Sequence, residues 1–183
     1  MRKIGIVIIV VLLAAGVYLY YQNRSLVEQV TQLQSELVHK EVQEAPEPRS
    51  AVTIYLVEES PTDFILVPVT RYTSEPVTPQ RALELLIQGP TASESYRPSV
   101  SSRTEVQSLT IEAGLATVSF SSSLKEDYVG GSQNEANLVN AIVHTLTQFP
   151  EIERVQILIE GAVIESIGGH IAINRPLKPN KEQ

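Results

Sequence analysis

The sequence contains no cysteine and no tryptophan, and it has a single methionine among 183 residues. The absence of cysteine excludes disulfide bonds, thiolate metal ligands and cysteine nucleophiles. It also excludes a lipid anchor attached through a thioether. Any catalytic or metal chemistry would therefore have to come from other side chains.

Histidine and aspartate are nearly as scarce. Histidine occurs only at positions 39, 144 and 170, and aspartate only at positions 63 and 127. These residues lack the spacing of metal ligands or of a catalytic triad. We interpret His144 as a helix-face partner of Asn140 and Gln148, and His170 as the partner of a local hydrogen bond near Glu165. The sequence predicts no catalytic, cofactor-binding or metal-binding residue.

The charge is negative and unevenly distributed. The formal net charge is -7, while residues 1–50 contain five basic and five acidic residues, so the whole excess lies after Ser50. An acidic surface repels phosphate backbones. We therefore expect no nucleic-acid partner.

The N-terminus carries the strongest local signal. Arg2 and Lys3 precede an uncharged run over residues 4–21, which as a helix would span about 27 Å. The positive charges favour a cytoplasmic N-terminus and an extracytoplasmic C-terminal domain. Residues 1–21 are thus predicted to be a single-pass anchor in the cell membrane, with lipid contacts through residues 4–21. Its principal anchoring side chains are Ile4, Ile6, Val7, Ile8, Ile9, Val10, Val11, Leu12, Leu13 and Tyr18.

The alternative for this segment is a cleaved signal peptide. The small residues at 14–16 would allow cleavage before Val17. The apolar run continues beyond that point through Tyr18, Tyr20 and Tyr21, which favours a retained anchor. Lipoprotein processing is excluded, because Val17 stands where the lipid-bearing cysteine would be required.

A helical stalk is predicted over residues 22–43. Its apolar residues follow a 4-3-4 spacing that forms one seam, consisting of Leu26, Val30, Leu33 and Leu37. A short parallel coiled coil and a solvated helix continuing the membrane span both fit this pattern. Residues 44–50 contain two prolines and are predicted to be a linker, with a folded domain at 51–177 and a tail at 178–183.

The domain after the linker has an α+β pattern. Alternating residues predict hairpins at 52–57 with 64–70 and at 105–111 with 115–121. A helix is predicted over 79–88, because Thr78 and Pro79 favour its start and Gly89 and Pro90 its end. A longer helix runs from Ser132 to Pro150, and closing strands are predicted at 154–160, 163–167 and 171–173. The resulting ββαββαβββ order predicts one mixed sheet packed on one face by two helices.

The start of the longer helix offers a further candidate site. Gly130, Gly131 and Ser132 precede it, and Ser132 with Glu135 has the spacing of a capping box. Free backbone amides at such a position can also hold an anion. This segment is therefore predicted to be either a helix cap or an anion site.

Residues 51–177 resemble the GerMN domain, a module of bacterial sporulation and spore-germination proteins. The resemblance rests on ordered motifs: ALELLIQGPT at 82–91, GGS at 130–132 with Glu135, TLTQFP at 145–150, VQILIEG at 155–161, GGH at 168–170 and RPL at 175–177. It implies an extracytoplasmic, non-catalytic module whose fold is similar to that of ring-building domains. Many relatives carry a lipoprotein cysteine and some carry two tandem copies, whereas this chain has neither.

Three functional hypotheses follow. The favoured one is a non-enzymatic scaffold or interaction protein of the bacterial cell envelope, possessing an envelope protein partner or associating with itself. The second is a binding module for cell-wall glycan or peptide, which the lack of tryptophan weakens. The third is an envelope hydrolase, for which the sequence offers no catalytic constellation.

Overall fold

The computed structural model describes residues 22, 24, 32, 34, 50–61 and 63–180. The chain divides into two compact units, Met1–Glu47 and Pro48–Gln183. In the first unit the four described residues are helical. The predicted anchor at 4–21, the seam residues and most of the linker lie outside the described residues. Across the part that is described, no helix is long and apolar enough to cross a membrane.

The second unit contains both helices and strands. In chain order its elements are β1 (Ser50–Glu59), β2 (Phe64–Thr73), α1 (Pro79–Gln88), β3 (Val106–Glu112), β4 (Leu115–Phe120), α2 (Ser123–Glu126), α3 (Ser132–Thr147) and β5 (Arg154–Ile159). β1 and β2 form an antiparallel two-stranded sheet. β3, β4 and β5 form a second sheet, in which β4 and β5 are parallel.

The mixed α+β class is as predicted, but the single sheet was wrong. The two hairpins belong to different sheets, and the element order is ββαββααβ. The additional element is α2, a single turn in a serine-rich stretch. It forms there because Leu124 is 1% exposed and packs into the core.

Two of the three predicted closing strands were also wrong. Only residues 154–159 form a strand, whereas 163–167 and 171–173 are irregular. The isoleucines that suggested strands instead enter the core, where Ile167 is 5% and Ile173 0% exposed. Backbone groups in this segment are bonded by side chains: Glu135 accepts from Ile167, and the Gln156 amide donates to the Ile173 carbonyl at 2.8 Å. Apolar content here reflects core packing instead of strand pairing.

Local signals position α1 and the second hairpin correctly. Thr78 caps α1 by accepting from the Arg81 amide at 3.2 Å, and Gly89 ends it with a φ of 72°. In the β3–β4 turn, Ala113 and Gly114 have φ values of 46° and 78°. Two adjacent residues with positive φ form the type I′ turn that matches the twist of a hairpin.

One hydrophobic core joins these elements. α1 contributes Ala82, Leu83 and Leu86, while α3 contributes apolar residues from both sides of its axis. Phe120 at the end of β4 is fully buried among them. Because α3 is buried along most of its length, the polar residues on its first turns require partners inside the domain.

Candidate functional site

Glu135, on the first turn of α3, is a buried carboxylate at the centre of the site. The residue is 0% exposed. One oxygen, Oε1, accepts the backbone amides of Ile167 at 2.9 Å and Gly168 at 2.8 Å, and Oε2 accepts the amide of His170 at 2.7 Å. A carboxylate that receives several amide hydrogen bonds is stabilised in its charged form. Glu135 thereby fixes the irregular segment that follows β5.

The pKa of Glu135 reflects two opposing causes. Burial raises the pKa, but hydrogen bonds from the backbone amides, led by those of Gly168 and His170, hold it below its ordinary value. The His170 ring also approaches, with Nδ1 at 3.2 Å from Oε2, while its side chain is 45% exposed. His170 therefore contacts Glu135, and the predicted local hydrogen bond near Glu165 was wrong.

Tyr128 packs directly against Gly168 and lies close to Glu135. Its hydroxyl donates to the carbonyl of Gly131 at 2.6 Å. A Cβ added at Gly168 would overlap Cε1 of Tyr128 and would lie 3.1 Å from a Glu135 oxygen, so only glycine fits there. Burial, followed by the nearby charge of Glu135, raises the pKa of Tyr128. We define the Glu135 cluster as Tyr128, Gly131, Glu135, Gly168 and His170.

The helix cap differs from the predicted one. Gly131 occupies the N-cap position, Ser132 is the first residue of α3, and no side chain caps the helix. Glu135 does not complete a capping box, because its carboxylate is engaged by the segment after β5. Asn134 instead donates to the Val129 carbonyl at 3.3 Å. The anion site at Gly130, Gly131 and Ser132 stays a prediction.

A groove of about 210 Å³ adjoins the cluster and shares Tyr128 with it. Its apolar lining includes the buried residues Val100, Leu124 and Leu138, and Val129 at its margin is 85% exposed. Arg97, Asp127 and Asn137 also line the groove, so apolar and polar groups both face the space that a ligand would occupy.

The polar groups lining the groove are held by neighbours. The Arg97 guanidinium lies 5.6 Å from the centre of the Phe64 ring and 3.2 Å from a Glu59 oxygen. Asn137 donates to the Phe64 carbonyl at 2.9 Å. Asp127 accepts from Ser101 Oγ at 2.9 Å and pairs with Arg103. These contacts fix the groove's shape, while Arg97 remains 57% exposed and accessible to a ligand.

His144 lies away from this site. Its ring is 5.1 Å from that of Tyr55, and burial lowers the pKa of His144. Gln148, predicted to be its partner, instead bonds both backbone groups of Thr53. Within the described ranges, no three His, Asp or Glu side chains lie close enough to hold a metal ion. His39 is outside those ranges.

The sequence signals for this site were incomplete. The GGS and GGH motifs were both identified, but their contact through Glu135 was not predicted. Tyr128 was not predicted to be a residue of this site, although an aromatic residue two positions before a glycine pair is a visible local feature. Its partner Gly168 is 40 positions away, so periodicity alone could not connect them.

The chain was next compared with known proteins. The family model described as Germane: Sporulation and spore germination matches residues 53–165, a range that includes most of β1 as well as Tyr128 and Glu135. The chain belongs to the GerMN family. No curated protein sequence matches the chain.

Solved structures share the GerMN fold at low sequence identity. The tandem GerMN domains of the sporulation protein GerM from Bacillus subtilis match with a TM-score of 0.61 and 24% identity, covering 72% of this chain and 46% of that one. The first GerMN domain of the same protein matches with a TM-score of 0.56 and 23% identity, covering 73% and 99%. A Clostridium perfringens protein described as a lipoprotein matches with a TM-score of 0.52 and 21% identity, covering 71% and 87%.

Proposed function

We propose that this GerMN protein is a non-enzymatic, membrane-anchored scaffold or interaction protein on the extracytoplasmic side of the bacterial cell envelope. The description of its family names sporulation and spore germination, and we propose that the protein serves one of these processes. The domain would act by surface contact with an envelope protein or with a second copy of itself. Residues 4–21 would hold it at the membrane.

The internal use of the motif residues carries this proposal. The Glu135 carboxylate accepts hydrogen bonds from backbone amides, and the Tyr128 hydroxyl donates to the Gly131 carbonyl. A catalytic acid or base must instead reach a substrate proton, and Glu135 is 0% exposed. Because these residues hold a loop in place, they favour a structural module that functions through contacts on its surface.

The anchoring part of the proposal rests on the N-terminal sequence. An uncharged run of membrane length follows two positive charges. A structurally similar protein is described as a lipoprotein, and a lipid anchor would place its domain at a membrane as well. The form of attachment would differ here, because this chain has no cysteine.

Crosslinking in intact cells followed by mass spectrometry tests the proposal. The full chain is compared with a variant lacking residues 1–43 and fused to a cleavable secretion signal. We expect the full chain to yield a discrete envelope complex and the released domain to yield much less of it. Recovery of glycan adducts alone, or of no complex, would contradict the scaffold role.

The groove supports a second candidate, a binding module for cell-wall peptide. Arg97 is exposed beside the Phe64 ring, and such a pair can receive a peptide carboxylate above an apolar surface. Calorimetry of the full chain in detergent with a soluble wall peptide tests this role. Binding that is lost in Arg97→Ala and retained in Arg103→Ala would support it, and equal heats in all three proteins would refute it.

A further inference from the structure

The backbone edge of β1 is closed by neighbouring groups. The amide and carbonyl of Thr53 bond the Gln148 side chain at 2.9 and 2.8 Å. The Tyr55 carbonyl accepts from a serine hydroxyl at 2.8 Å. Val57 exchanges both backbone bonds with Arg97, at 3.0 and 2.8 Å. No further strand can pair there without breaking these contacts.

The edges of β5 and β2 are also obstructed. On β5, Val155 exchanges both backbone bonds with Leu177, at 2.9 and 2.8 Å. On β2, the Phe64 carbonyl is occupied by Asn137, and Pro68 in the middle of the strand has no amide hydrogen to donate. Proline on an edge strand is a common way of preventing unwanted pairing.

The outer edge of β3 differs from these. Within residues 50–61 and 63–180, β3 pairs only with β4. The two-residue turn at Ala113 and Gly114 makes Glu112 and Leu115 the first hydrogen-bonded pair of the hairpin. Because hydrogen-bonded and non-hydrogen-bonded pairs alternate along an antiparallel ladder, the backbone groups of Leu109 and Ile111 point away from β4. Ile111 is 37% exposed at this edge. The outer edge of β3 is therefore able to accept another strand.

We propose that β3 pairs antiparallel with β3 of a second copy of this chain, about an axis at Thr110. The pairing would join two three-stranded sheets into one continuous sheet across the contact. This inference rests on the proposed function and names the surface through which self-association occurs.

Side-chain matching selects the register. With Thr110 opposite its own copy, Leu109 lies opposite Ile111 on the apolar face, and Ser108 lies opposite Glu112 on the exposed polar face. No two carboxylates are then directly opposed, which matters for a chain with a net charge of -7. An axis at Leu109 would instead place Ile111 against Gln107, where the pairing of β3 with β4 is interrupted by a bulge.

The absence of native cysteine permits a direct test. In the proposed pairing Thr110 and its copy form a non-hydrogen-bonded pair with Cα atoms about 4.5 Å apart, within the range that a disulfide requires. Thr110→Cys is introduced into the full chain, and intact cells are treated with a mild oxidant. The control is Thr117→Cys, since Thr117 is the partner of Thr110 on β4 and would lie about 14 Å from its copy.

We expect Thr110→Cys to form a disulfide dimer at least about tenfold faster than Thr117→Cys, because only the former thiols come within bonding distance. Adding Ile111→Pro should abolish this advantage, since it removes an outward amide that β4 does not use. Ile111→Lys is a milder second variant in case the proline disturbs folding, and circular dichroism checks both.

Equal crosslinking of the two cysteine variants would overturn the edge pairing. Crosslinking of Thr110→Cys that is unaffected by both Ile111 substitutions would overturn it as well. If wild-type chains still yield a discrete envelope complex while Thr110→Cys gives no dimer, the edge pairing is wrong and the proposed function stands.

Discussion

Replacing Glu135 with alanine should destabilise the domain more than any other single removal of a carboxylate. The substitution deletes the acceptor for three backbone amides, those of Ile167, Gly168 and His170. It also leaves a void in a fully buried position. The segment after β5 would lose the group that fixes it to α3.

The magnitude follows from the number of amides left without a partner. Each buried donor that loses its acceptor costs roughly 1–3 kcal/mol, and water can reach the less buried of the three, so we expect a total of about 3–5 kcal/mol. A domain of this size is typically stable by about 5–15 kcal/mol, so the loss would be a large share of the total. Glu135→Gln retains one acceptor oxygen and should lose about 1–2 kcal/mol.

The pH dependence has a defined sign. Because the pKa of Glu135 is below its ordinary value of 4.5, the contribution of its charge is complete above pH 4.5 and is lost as the pH falls further. In Glu135→Gln this part of the acid sensitivity disappears. The difference in unfolding free energy between wild type and Glu135→Gln should therefore shrink in acid.

Urea denaturation followed by circular dichroism measures these changes, since the chain has no tryptophan for fluorescence. Hydrogen exchange at Ile167, Gly168 and His170 reports the local effect, and Glu151→Ala is the control because Glu151 is exposed. Unchanged exchange protection in Glu135→Ala, or a loss of stability no larger than that of Glu151→Ala, would refute the reasoning.

Three further predictions concern other contacts. Glu94→Gln should cost about 1 kcal/mol at neutral pH, the upper end of the range for a partly exposed ion pair. Hydrogen bonds from Arg71 hold the pKa of Glu94 at about 2, so the wild type should lose this advantage as the pH falls below 4.5, which acid denaturation will measure. Gly168→Ala should lower the thermal midpoint by overlapping Tyr128, and Tyr128→Leu should restore part of that loss in the double variant. Burial lowers the pKa of His144, so wild-type stability should decline between pH 6.5 and pH 4.5 while that of His144→Phe should not, as urea titrations across this interval will measure.

Locally encoded elements could be predicted from the sequence. Thr78, Pro79 and Gly89 act within their own helix, and Gly114 acts within its own hairpin, so α1 and the β3–β4 turn follow from neighbouring residues alone. The longer helix beginning at Ser132 was also predicted. In each of these cases the residues that determine the structure are close together in the chain.

The remaining features depend on distant contacts. Ser132 and Glu135 have capping-box spacing, but Glu135 bonds Gly168, which is 33 positions away, in preference to its own helix end. The isoleucine-rich segment at 163–173 matched a strand pattern, yet several of its backbone groups bond side chains, Ile173 donates its amide to the Glu165 carbonyl, and its buried isoleucines enter the core. A pattern of apolar residues does not reveal which of these partners a segment will meet.

The central claim, that the GerMN domain faces outward from a membrane anchor, is tested most directly by thiol labelling in the otherwise cysteine-free chain. A cysteine replacing the exposed Ser102 reports the domain, and a cysteine inserted after Met1 reports the N-terminus. With a membrane-impermeant maleimide on intact cells, we expect labelling at position 102 and labelling of the N-terminal cysteine only after lysis. Labelling at position 102 only after lysis would contradict the account.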